Sequence, residues 1–269
     1  MRISIRSTLA IAGLSLLVMA PTLHAQDADA LAKQLSNPIA SLTSVPLQLN
    51  YDTGLGPADD GEKFTLNVQP VIPVAIGSDW NLISRTIVPV VSQTEIVPSS
   101  RNQFGVGDTL QSVFFSPKAL TASGWTWGVG PAVLLPTATD DLLGAGKWAA
   151  GPTIVALRQT PSGWTYGALA NHLWSFAGSD NRGDISASYI QPFLAKGLGK
   201  GRTVNVALES TYDWKSERWT VPINLGYSRV SRIGGQLVSY QGGVRYYVEA
   251  PDNAPQWGLR FTFTLLYPS

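Results

Sequence analysis

Four charged residues in the last quarter of the chain, Glu209, Asp213, Arg245 and Arg260, are the types that could act together. Two carboxylates and two guanidiniums can pair with one another, or can line a passage that sorts solutes by size and charge. A second suggestive pair is His172 with Ser175 in "NHLWSF" (171–176), because an imidazole beside a hydroxyl is the beginning of a nucleophilic hydrolase. At a spacing of three along a strand, however, the two side chains leave opposite faces, so neither can activate the other without a bulge. "GAGKW" (144–148) lacks the spacing and the Ser/Thr of a phosphate loop. Asp140 and Asp141 could hold a divalent ion bridging lipopolysaccharide, but adjacent loop carboxylates are ordinarily solvated, and "DNRGD" (180–184) is no complete calcium loop. Neither a metal nor a cofactor is expected.

The elements that must position these residues are strands. In "WGLRFTFTLLYPS" (257–269) Trp257, Leu259, Phe261, Phe263, Leu265 and Tyr267 recur at period two, with Arg260, Thr262 and Thr264 between them. That is a pleated strand with one apolar face needing cover. The same pattern appears in Val45/Leu47/Leu49/Tyr51, Phe64/Leu66/Val68 and Trp219/Val221/Ile223/Leu225/Tyr227. Twelve strands are expected, at about 44–52, 63–76, 79–92, 104–116, 124–136, 147–159, 163–176, 184–196, 203–214, 218–230, 236–249 and 257–267, the repeated weak signal of a membrane barrel.

Lipid is the expected cover. Arg2 and Arg6, the apolar run from Leu9 to Met19 and Leu23-His24-Ala25 have the order of a secretory signal, so 1–25 is expected to be removed. Taking those two arginines from the 19 basic residues leaves 17 against 18 acidic ones, so no basic face for nucleic acid is implied. Cysteine is absent, which excludes a disulfide framework and thiolate metal sites. Nine Trp, nine Tyr and eight Phe beside only 14% charged residues suit a wall facing lipid. Trp80, Trp125, Trp127 and Trp164 fall at one set of strand ends and Trp148, Trp174, Trp214, Trp219 and Trp257 at the other, as two interfacial girdles would. An even strand count places both termini at the periplasmic end, which carries the shorter turns. Pro70, Pro73, Pro89, Pro131, Pro152, Pro192 and Pro222 argue against an ideal wall, since a closed barrel has no edge on which to hide a missing donor.

The segment 26–43 differs: Leu31, Leu35 and Ile39 recur every four residues beside Ala28 and Ala32, as in a short amphipathic helix, with Pro38 limiting it. It reads as a periplasmic tether, with a plug that narrows the pore as the alternative. Residues 44–269 form the expected all-β, up-and-down, outer-membrane β-barrel, about 24 Å across by the scaling of strand number and tilt. If apolar parity marks lipid, Asn67, Gln69, Asn81, Arg85, Asn205, Glu209, Asp213, Asn224, Gln241, Arg245, Arg260, Thr262 and Thr264 face the lumen. They can either form a selective constriction or simply pair to fill a narrow barrel.

"LNVQPVIPV" (66–74), "WNLISRTIVPVV" (80–91), "LLPTATDDLLG" (134–144), "GALANHLWSFAG" (167–178), "ESTYDW" (209–214) and "VPINLG" (221–226) resemble the bacterial outer-membrane proteins assigned to transport in the phenol meta-cleavage pathway, many of which are mislabelled neuromedin U. The resemblance spans nearly the whole of 26–269 and implies passive passage of a small aromatic or hydrophobic solute; it supplies no catalytic residues. Pro268 and Ser269 after Tyr267 depart from the terminal aromatic that outer-membrane proteins often present to the barrel-assembly machinery. The expected partners are outer-membrane lipid and lipopolysaccharide, that machinery and a small solute. The alternatives are a lipid hydrolase set in the barrel wall and a purely structural barrel.

Overall fold

The computed structural model describes residues 25–97 and 100–268. Of the expected leader, 1–25, all but Ala25 lies outside them, and Ala25 opens the first helix, α1 (Ala25–Leu35). Fifteen strand segments follow: β1 (Thr43–Leu55), β2 (Gly61–Val68), β3 (Val71–Ile76), β4 (Trp80–Val97), β5 (Ser100–Val106), β6 (Thr109–Pro117), β7 (Trp125–Leu135), β8 (Lys147–Gln159), β9 (Trp164–Gly178), β10 (Ser186–Gly199), β11 (Arg202–Leu208), β12 (Ser210–Asp213), β13 (Arg218–Ile233), β14 (Gln236–Glu249) and β15 (Trp257–Tyr267). Every pairing is antiparallel. β2 with β3, β5 with β6, and β11 with β12 are halves of single wall strands, so the wall has the twelve expected.

The ending closes the cylinder. β15 pairs with β14 on one side and with β1 on the other, from Thr43↔Tyr267 to Thr53↔Trp257. Closure leaves no edge, which is the condition for strands to cross hydrocarbon with every backbone group satisfied. Period two then separates the faces: Leu259 and Phe261 are 47% and 51% exposed, while Arg260 between them is 8% exposed. Large apolar groups point outward and charges inward, the reverse of a water-soluble fold. The tryptophans collect at the two rims, where Trp80 meets Trp127 edge-on at 6.0 Å and Tyr212 contacts both Trp214 and Trp219.

The prolines are accommodated by interrupting the ladder. Pro70 lies in the gap between β2 and β3, Pro89 accepts from Gly107 N at the gap between β5 and β6, and Pro222 accepts from Glu209 N at the gap between β11 and β12. Pro131 and Pro152 face one another across β7 and β8. Pro73 and Pro192 lie in unbroken registers with β4 and β9, as Pro131 and Pro152 do with one another, and Pro192 faces the gap at Glu209 on its other side.

Tight turns gather at the end where Thr43 pairs with Tyr267: Lys200-Gly201 and Gly234-Gly235 all have positive φ, the geometry of two-residue hairpins. The helix and its continuation enter this same mouth, so the tether reading is corrected to the plug. Leu31, Ala32 and Leu42 pack on Val230 and Leu266, and Ile39 reaches the opposite wall at Ile83, Phe114, Val155, Leu157 and Leu169. Asp29 accepts from Gly201 N at 2.7 Å, the Lys33 carbonyl accepts from Gln159 Nε2 at 2.7 Å, and Ser41 Oγ accepts from Asn81 Nδ2 at 3.0 Å. The helix stops where Asn37 turns its side chain back to accept from Ile39 N, ahead of Pro38.

Candidate functional site

Register stacks the inward residues into rows around the barrel. One row runs Ala207–Asn224–Arg245–Gly258–Asp52–Lys63 and the next Asn205–Gly226–Gly243–Arg260–Asn50–Thr65. Glycines occur where a long arginine must lie along the wall. Arg245 Nη1 crosses over Gly258 to both oxygens of Asp52, at 2.9 and 2.8 Å, while its Nε donates to Asn224 Oδ1 at 3.1 Å. Tyr247 Oη also donates to Asp52 Oδ1, at 3.1 Å. Arg260 grips Glu209 with both terminal nitrogens, at 2.7 and 2.8 Å, and donates from Nε to Asn50 Oδ1 at 2.7 Å. These are charge-assisted pairs removed from water, where each partner is strongly held by the other. Glu209 points inward with the parity of Asn205, Ala207 and Thr211, and its amide donates to the Pro222 carbonyl at the gap.

Behind the plug the lumen is hollow. A cavity of 540 Å³ and a neighbouring one of 260 Å³ share Gln48, Gln69, Arg85, Asn205 and Gln241 among their walls. Of the residues expected from parity, Asn67, Gln69, Arg85, Asn205, Glu209, Asn224, Gln241 and Arg260 border the larger space, and Thr262 and Thr264 the smaller. Three line neither space. Arg245 is engaged in the wall with Asp52, Asn81 holds the plug at Ser41, and Asp213 accepts from Lys215 N and Ser216 N in the turn to β13. Sequence reasoning missed Asn50 and Asp52, although they alternate with Leu49 and Tyr51 in β1 and the same parity rule would have found them. It also missed Tyr189, which lines the cavity from β10.

The two loop motifs act structurally, on each other. Arg182 of "DNRGD" donates to the carbonyls of Gly144 and Ala145 in "GAGKW". Asp108 accepts from Ala138 N at 3.2 Å and Ala145 N at 2.6 Å, drawing the 136–146 loop inward, where Thr139 and Leu143 cover Gly105 of β5. Asp140 merely turns back to Leu142 N, at 2.8 Å. At the same rim, Lys147 Nζ lies 3.2 Å from Asp184 and holds that carboxyl below its usual range, with help from Ser175. Among the described residues no cluster of His, Cys, Asp and Glu could hold a metal ion.

His172 does not meet Ser175, as the strand spacing requires. It pairs across the sheet instead, Nδ1 to Ser188 Oγ at 2.7 Å, while Ser186 Oγ lies 3.4 Å from Nε2. Ser188 Oγ also accepts the Trp214 indole N–H at 2.9 Å, and the imidazole packs on Trp174 and Trp214.

No family model matches the chain, and no curated protein matches it by sequence. Among solved structures the fold is similar to an outer-membrane channel from Pseudomonas putida F1, at 12% identity and a TM-score of 0.65 over 84% of this chain and 96% of that one. It is also similar to the outer membrane phospholipase A of Escherichia coli, at 11% identity and a TM-score of 0.51 over 84% of this chain and 90% of that one. The chain thus folds as a bacterial outer-membrane β-barrel.

Proposed function

We propose that this protein is an outer-membrane channel for passive passage of a small solute, opened when the N-terminal segment withdraws from the inner mouth. The observation that carries the reading is a hollow lumen lined in part by polar side chains, 540 Å³ in its larger part, inside a wall whose outer face is apolar. A barrel serving only as a structural element would gain by filling that space with side chains, as small barrels do. The lumen-facing residues Asn67, Gln69, Arg85, Asn205, Glu209, Asn224, Gln241 and Arg260 form the constriction, and the Arg245–Asp52 pair braces it. The resemblance to the meta-cleavage transport proteins supports an aromatic or hydrophobic solute. Lipopolysaccharide and the barrel-assembly machinery are the partners that this location requires. Proteoliposomes carrying the purified chain are expected to swell in isotonic solutions of small solutes and to exclude large ones; sealed vesicles would contradict the reading.

One observation favours a second reading, a lipid hydrolase in the wall: the 2.7 Å contact of His172 with Ser188 near the aromatic rim. The chemistry opposes it. The indole N–H on Ser188 Oγ draws on the lone pair a nucleophile needs, and the other imidazole nitrogen faces a hydroxyl rather than the carboxylate that would stabilise an imidazolium.

A further inference from the structure

The lumen is divided by polarity. Asn205, Asn224, Gln241, Gln48 and Asn67 enter the larger cavity from β11, β13, β14, β1 and β2, an almost unbroken polar arc. The apolar side chains of the lining concentrate on the opposite arc, where Ile87, Leu110, Phe114, Leu169 and Leu173 enter from β4, β6 and β9 with only Ser112 and Asn171 between them. Arg85 stands at the seam, on β4 one full pleat from Ile87, and borders both the larger and the smaller cavity.

Charge singles out the same residue. Arg245 and Arg260 are each neutralised by a carboxylate, but among the described residues Arg85 makes its one polar contact with a neutral amide, Gln69 Oε1 at 3.2 Å. A guanidinium facing a partly desolvated cavity attracts an anion far more strongly than it would in water, and its planar fork fits a carboxylate. A second group also lacks a partner: Asn205 Oδ1 is buried without a hydrogen bond and borders the same two cavities. It would take a hydroxyl or amide N–H.

We infer that the lumen holds a binding site for a small organic anion, a carboxylate on an apolar body, with Arg85 on the carboxylate and Ile87, Leu110, Phe114 and Leu169 against the body. The inference rests on the channel reading and adds the solute class to it. The space of 540 Å³ suits one such molecule, within the range of about 300–1,000 Å³ usual for small-ligand sites.

Benzoate is the probe and benzamide its uncharged twin. Isothermal titration of the detergent-purified full chain, with empty micelles as the blank, is expected to give saturable one-to-one benzoate binding and at least about tenfold weaker benzamide binding, the loss of a charge-assisted hydrogen-bonded pair. Arg85→Gln should lower benzoate affinity by a similar factor and Arg85→Lys by less. Equal binding of the two probes, no benzoate binding, or unchanged affinity in Arg85→Gln would overturn the site. If Arg85→Gln lacks the compact heat-sensitive gel band of a folded barrel, the two-probe comparison on the unaltered chain decides alone. Ion conductance of the same preparation separates the two readings. Conductance without benzoate preference removes only the anion site, and benzoate binding without conductance removes only the channel.

Discussion

Arg245 reaches Asp52 over a residue with no side chain: Gly258 stands between them in the sheet, cross-strand partner of both. A Cβ at 258 would collide with the Asp52 carboxylate and with the Tyr51 carbonyl. Gly258→Ala is therefore expected to break the pair and strand two buried charges, destabilising the barrel by about 3–5 kcal/mol. Guanidinium unfolding in detergent micelles checks this, and a Gly258→Ala barrel as stable as the parent would show that the pair tolerates a detour.

The second buried pair makes a different test, because its partners can be removed together. Glu209→Ala leaves Arg260 facing the lumen without its carboxylate and should cost about 3 kcal/mol or more. Glu209→Leu with Arg260→Met should cost much less, since the loss in the single variant is chiefly the uncompensated charge. Unfolding midpoints of the three proteins measure the difference.

The strand pattern carries most of this architecture in the sequence. The bounds expected for β8, β14 and β15 are the observed ones, even though β8 carries Pro152 and a bulge at Trp148/Ala149. The gaps at Gln69-Pro70, Gly107-Asp108 and Glu209 were not legible. Each of them answers a proline on the neighbouring strand, Pro46, Pro89 or Pro222, and only register brings those residues together. The candidate site divides in the same way. Parity puts Arg85 and Arg260 inward, but which arginine has a carboxylate depends on cross-strand alignment 51 residues apart for Glu209 and 193 for Asp52. The sequence leaves tether and plug both open, because an amphipathic helix announces an apolar face without saying what covers it.

At the outer rim, acid should loosen one loop. Lys147 depresses the Asp184 carboxyl below its ordinary value of 3.8, so the folded state binds the proton less readily than the unfolded one. The stabilisation is complete above that ordinary value and disappears as pH falls through the lower folded value. The protection of the Ile185 amide, the factor by which its exchange is slowed relative to the unfolded chain at the same pH, should fall at that acid end and stay constant between pH 5 and 8, since this amide donates to Ser175 Oγ beside Asp184. Lys147→Met should shift the onset to higher pH, and exchange unaffected by either change would refute the linkage.

Ser188→Ala distinguishes anchor from nucleophile. The chain is expected to show no phospholipase turnover with or without calcium, and the variant to lose only its contacts to His172 and Trp214, about 1 kcal/mol. Turnover that vanishes in Ser188→Ala would restore the hydrolase.

The most direct test compares single-channel conductance in planar bilayers for the full chain and for the same chain lacking residues 25–42. With the segment wedged between Val230 and Ile83 the full chain should pass a small, intermittent current, and its removal should raise conductance several-fold and steady it. Identical currents would show that the segment does not control the passage, and silence from both proteins would show that the lumen conducts nothing.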